Sequence, residues 1–146
     1  MRIFQLFLAT IMLHSMASNQ LFANDATLSN IEQLRWVNRI ILVSADQHNE
    51  VEVITQFRQA KLEIDERHLL WFVLYGEQLT SNYEGKISEN FARVINEKYL
   101  DKSVNSVLIG KDGGVKDRQK LLSLNSTLAL IDAMSMRQSE IKRNKD

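Results

Sequence analysis

Two short apolar runs constrain this chain more than any other feature. Ile40, Ile41, Leu42 and Val43 form one, and residues 69–75 (LLWFVLY) form the other. Continuous β-branched and aromatic runs of this length suit strands buried on both faces. Between them, Val53, Phe57, Ala60 and Ile64 recur at i, i+4, i+7 and i+11, the spacing of one apolar helix face. Asn49 followed by Glu52 gives a capping-box-like start to that helix. Asp65, Glu66 and Arg67 then make a charged turn. The segment therefore predicts a strand, a covering helix and a second strand.

The rest of the chain extends this unit. Upstream, Leu28, Ile31 and Leu34 at spacing three predict a short helix leading into the first strand, which lies within residues 35–45. Residues 76–86 are a polar loop. Phe91, Val94, Ile95 and Tyr99 mark a second helix over roughly 88–100. Residues 104–109 and 115–121 are a third and a fourth strand. They are joined by Lys111, Asp112, Gly113 and Gly114, where Asp-Gly supplies the positive φ of a tight turn. The fourth strand is charged on one side, as an edge strand should be. Leu124, Leu128, Ile131 and Met134 form the core stripe of a last helix, and residues 140–146 read as a frayed charged tail. Trp36 and Trp71 are expected in the core or at its rim. The order β-α-β-α-β-β-α, two βαβ-type crossovers followed by a hairpin and a covering helix, predicts an α/β fold. It is a thioredoxin-like three-layer sandwich around a central mixed sheet.

The first residues read as a secretory signal. Arg2 precedes an eleven-residue run, 3–13, with only Gln5 and Thr10 polar. That is too short for a membrane span, which needs about 20 apolar residues, and right for a signal core. Small-residue cleavage sites end at Ala17 and Ala23, so residues 1–23 are the expected signal, cut after 17 or 23. The expected location is periplasmic or extracellular, with no membrane attachment after signal removal. The full chain has 18 basic and 18 acidic side chains. Near-neutral charge argues against nucleic acid, whose surfaces need clustered cations. Cysteine and proline are both absent. An exported chain is free to use disulfides; this one must rely on its core.

A family resemblance rests on two motifs. One is Leu108, Ile109, Gly110, Lys111, Asp112, Gly113, Gly114, Val115 and Lys116; the other is Ile131, Asp132, Ala133, Met134, Ser135, Met136 and Arg137. Weaker echoes lie at residues 39–45 (RIILVSA) and at Glu66 and Arg67. Together they resemble the domain-of-unknown-function 4174 family over residues 34–143. That family occurs in small bacterial secreted proteins and at the C-terminus of animal extracellular proteins with sushi repeats. The resemblance implies a thioredoxin-like fold related to peroxiredoxins. No activity is established for the family, so it carries over no catalytic residues. Where the family tends to have proline, this chain has Ser135, which removes the residue that would end the helix sharply.

A thioredoxin-like enzyme carries its redox cysteines where the first strand meets the first helix, where a helix N-terminus stabilises thiolate. Here that junction reads Ser44, Ala45, Asp46, Gln47, His48, Asn49, and the facing proline loop has no proline. Thiol chemistry and cysteine-ligated metals are excluded by composition. Asp46, His48, Glu50 and Glu52 cluster there, but their spacing matches no metal motif, and a solvated helix start explains them. His68 is expected at the surface or at a strand boundary. Ser44 lacks a nucleophile elbow and an activating histidine. No catalytic residue, cofactor or metal is assigned.

The remaining candidates are Lys111, Asp112, Lys116, Arg118, Asp132 and Arg137. If the hairpin packs on the last helix, Asp132 pairs with a nearby Lys or Arg. That pairing is either a structural ion pair or part of a binding patch built around Lys111 and Arg137. The expected function is a non-catalytic module that binds a protein partner or a small anionic ligand. Two alternatives stay open: an enzyme using Asp, Arg and Lys groups, and an assembly factor docking through its edge strand or terminal helix.

Overall fold

The computed structural model describes residues 26–101 and 103–144, so the expected signal lies outside them. Leu28, Ile31 and Leu34 are all buried, and their spacing of three matches the 3-10 geometry of the turn at Ile31–Leu34. Gln33 Oε1 accepts hydrogen bonds from the backbone N–H groups of Ser29 and Asn30 and fixes its start. The two apolar runs form β1 (Arg39–Ser44) and β2 (Leu69–Tyr75), which pair in parallel with Arg39 opposite Leu69 and Ser44 opposite Leu74.

The connecting helix comes in two pieces, α1 (Glu50–Gln59) and α2 (Lys61–Glu66), with Ala60 out of helical geometry at φ −90°, ψ 24°. The expected capping box is not formed. Asn49 Oδ1 instead accepts from the N–H of Asp46 at 2.9 Å. Asp65 and Glu66 belong to α2 rather than to a turn.

The expected polar loop contains β3 (Gln78–Ser81), which pairs antiparallel with β2. Tyr75 faces Gln78 across a two-residue turn, and Gly76 takes φ 58° at its first position, the glycine-first hairpin turn. Then α3 (Phe91–Tyr99) leads to β4 (Ser106–Ile109), β5 (Val115–Gln119), α4 (Leu124–Ala133) and α5 (Ser135–Arg143). Gly113 holds φ 82° in the turn between β4 and β5, as the Asp-Gly pair predicts.

The five-stranded sheet runs β3-β2-β1-β4-β5. β4 lies antiparallel to β1, so the second crossover is not a parallel βαβ unit. The result is a mixed-sheet α/β sandwich, consistent with the expected thioredoxin-like class, with β3 added at one edge. One face packs Ile40, Leu42, Phe72 and Ile109 against the 3-10 turn and the Phe91, Ile95 and Tyr99 face of α3. The other packs Ile41, Val43, Trp71 and Leu108 against Val53, Phe57, Ile64, Leu124 and Ile131 of the remaining helices. Trp71 stacks on Phe57 with ring centroids 5.1 Å apart. Trp36, by contrast, is 62% exposed and is no core residue. Among the described residues, no helix is long and apolar enough to cross a membrane.

The last helix breaks without proline. Met134 adopts φ −70°, ψ 137° between α4 and α5, and α5 continues through the segment expected to fray. Its two buried residues are Arg137 and Glu140, both charged.

Candidate functional site

Where β1 runs into α1, polar groups satisfy one another locally. Asp46 Oδ1 accepts from the N–H groups of His48 at 2.8 Å and Asn49 at 3.1 Å. His48 Nδ1 lies 3.8 Å from the Asp46 carboxylate, but its side chain is 93% exposed. Among the described residues, no group of three or more metal-ligating side chains converges.

The opposite end of the sheet is built differently. Arg39 opens β1 and is buried at 1% exposure. Its guanidinium forks onto Glu140 of α5, Nη1 to Oε2 at 3.1 Å and Nη2 to Oε1 at 3.3 Å. Lys111, two residues beyond the end of β4, is also buried and donates to the same Oε1 at 2.7 Å. The Lys111 ammonium lies 2.7 Å from His68 Nδ1; a neutral ring accepting there carries its proton on Nε2. His68 holds the left-handed backbone at φ 48° just before β2. Arg137 lies 3.8 Å from Glu140. Arg67, at the end of α2, grips Asp132 of α4 with Nε at 3.0 Å and Nη2 at 2.6 Å, and Arg137 Nε approaches the same carboxylate at 3.4 Å.

Four cations therefore converge on two carboxylates, with the exposed Glu66 carboxylate 3.9 Å from Arg67 as a third, outer partner. The excess has a structural use. α2 has no basic residue in its last turn, and its final carbonyls attract cations. Guanidinium groups supply them: Arg67 Nη1 to Glu63 O at 2.7 Å, Arg137 Nη1 to Glu66 O at 2.6 Å and Arg39 Nη1 to Arg67 O at 2.8 Å. Among the described residues, no buried side-chain polar atom lacks a partner.

The titration behaviour follows from this packing. Burial would raise the Glu140 pKa, but hydrogen bonds from Lys111 and Arg39 outweigh it and hold the carboxyl below its ordinary range. Asp132 behaves alike: burial opposes ionisation, and Arg67 and then Arg137 reverse it. His68 is pushed down, first by burial and then by the Lys111 charge. Both carboxylates are ion-paired, and their lowered pKa values favour the charged form.

Beside this charged cluster lies a cleft of about 240 Å³, lined by Arg39, Lys111, Asp112 and Lys116 and, at the helix break, by Met134, Ser135 and Met136. Lys116 pairs with Asp112 at 2.6 Å, and that contact, with the N–H of Gly114, holds the Asp112 carboxyl below its usual range. Gly110 lets the Lys116 chain fold over the turn, because a Cβ there would sit 2.5 Å from Lys116 Cε. Of the residues singled out from sequence, Lys111, Asp112 and Lys116 line this cleft. Asp132 and Arg137 join the network behind it. Arg118 does not: its Nη1 donates to Tyr99 O at 2.7 Å, at the end of α3 on the other face. Sequence reasoning missed Arg39, Arg67, His68 and Glu140 as members. The available signals were an arginine at the first position of an otherwise apolar strand, and a glutamate three residues after Arg137.

Residues 30–140 match the family described as Domain of unknown function (DUF4174). The chain belongs to the DUF4174 family. The DUF4174 match starts before the 3-10 turn and runs as far as Glu140, so it contains every member of the charged network. No curated protein and no solved structure matches the chain.

Proposed function

We propose that this DUF4174 protein is an exported, non-redox binding module that takes a small anionic ligand in the cleft beside Lys111. The observation that carries the reading is the cleft lining, which includes Arg39, Lys111 and Lys116 but one carboxylate, Asp112; Arg39 and Lys111 are held by Glu140 and Lys116 by Asp112. Two of those cations are buried, where water screens them least. Export is supported by the composition of residues 1–23. The lack of cysteine removes the redox chemistry of thioredoxin-like enzymes.

Thermal melting in phosphate, sulfate and succinate, against chloride at matched ionic strength, tests the ligand. A ligand at 100 times its Kd adds about 2.7 kcal/mol of stability. Lys116→Ala should weaken that response without unfolding the chain. Identical melting in all four salts would defeat the proposal.

A second reading, docking of a protein partner, is favoured by Trp36. This exposed tryptophan holds a left-handed φ of 68°, anchored by its N–H to Lys111 O at 2.6 Å. Arg35 lies over its ring at 5.2 Å. Strained, exposed aromatics of this kind occur at contact surfaces.

A further inference from the structure

α5 is held by charge rather than by apolar burial. Its buried residues are Arg137 and Glu140, and six of its other seven, Ile141 excepted, are exposed. A nine-residue helix has little stability of its own in water, so its order depends on those contacts. The deepest is the Glu140 carboxylate, which meets Arg39 through a two-point fork and Lys111 through Oε1. Both cations come from the sheet end, and both also line the cleft. The planar fork fits a carboxylate in particular.

We infer that Arg39 and Lys111 form a carboxylate-binding socket that Glu140 fills from within the chain. A carboxylate ligand entering the cleft competes with Glu140 for the same donors. As it takes them, α5 loses its hold on the sheet and keeps only the Arg137 contacts to Asp132 and Glu66 O, so its helical order weakens. This rests on the proposed anion cleft and adds its ligand class and its control: the helix is a competitor built into the chain. The apparent affinity is reduced by the fraction of time Glu140 occupies the socket.

The test is hydrogen exchange of the full chain with succinate as probe and chloride at matched ionic strength as control. Binding is measured in parallel on wild type and Glu140→Gln. The expected result is faster exchange across residues 135–143 with succinate alone, and tighter succinate binding by Glu140→Gln, roughly tenfold. Succinate binding that leaves α5 exchange unchanged would overturn the socket while sparing the anion cleft. Absence of succinate and phosphate binding in wild type and variant alike would overturn both. If Glu140→Gln does not fold, the wild-type exchange result decides alone.

Discussion

At the end of the sheet where β1 runs out into α1, polar residues satisfy one another within a few positions of sequence. At the end where β1 begins, charged residues from β1, α2, the β4–β5 turn, α4 and α5 satisfy one another across the whole fold. Asp46 bonds groups two and three residues away; Arg39 and Glu140 are 101 residues apart. A thioredoxin-like enzyme places its chemistry at the first of these ends. In this chain that end is a solvated turn, and the dense polar structure lies at the other. The fold therefore does not dictate which end carries charge. The contrast also separates two kinds of polar contact. Local ones shape a turn and cost little to lose, whereas buried long-range ones hold elements together and leave an expensive orphan when broken.

The sharpest way to break the comparison is to remove Arg39. Arg39→Ala strands Glu140 with fewer donors and uncaps Arg67 O, and should cost about 3–5 kcal/mol in urea unfolding. A loss under about 1 kcal/mol would make this network no more important than the opposite turn.

Acid should act next. The folded Glu140 pKa lies below its ordinary value, so its contribution is complete above the ordinary carboxylate range. That contribution is lost as pH falls through the folded value. His68 works in the same direction at higher pH. Its folded pKa is also lowered, so stability falls as pH drops through about 6.5, where the unfolded ring takes its proton first. Melting curves between pH 3 and 8 should show both steps, and Glu140→Gln should shrink the lower one, leaving the share of Asp132 and Asp112. An unchanged acid limb in that variant would show the carboxylate to be energetically idle.

A smaller effect is expected from Asp132→Asn. Its side chain is 38% exposed, so solvent screening limits the loss to about 1 kcal/mol. Smallest of all is His48→Ala at the opposite end, expected within about 0.5 kcal/mol of wild type by denaturant midpoint. A large loss there would mean that the β1–α1 junction is built, not merely solvated.

Much of the architecture was legible because it rests on local pattern. The run at residues 69–75 became β2 with those bounds, and the helix stripe of Leu124 and Ile131 is buried as expected. β3 was missed because only Leu79 in it is apolar. Its existence depends on the open edge of β2, although the Gly76 turn was a readable clue. The helix break at Met134 was obscured because the residue that follows is serine and not proline. Within the charged cluster, Lys111, Asp132 and Arg137 stood out because they sit in motifs, while Arg39 was hidden inside a strand and Glu140 inside an apparent tail.

The sequence by itself determined most of the element types, most of the core residues and the absence of thiol chemistry, because periodicity and composition are properties of the chain alone. Only the tertiary structure decided which charges meet. A buried arginine and a buried glutamate 101 residues apart carry no mark of each other in sequence. They become partners only when parallel pairing of β1 with β2 and the docking of α5 bring them to one end of the sheet, where burial makes an unpaired charge too costly to leave.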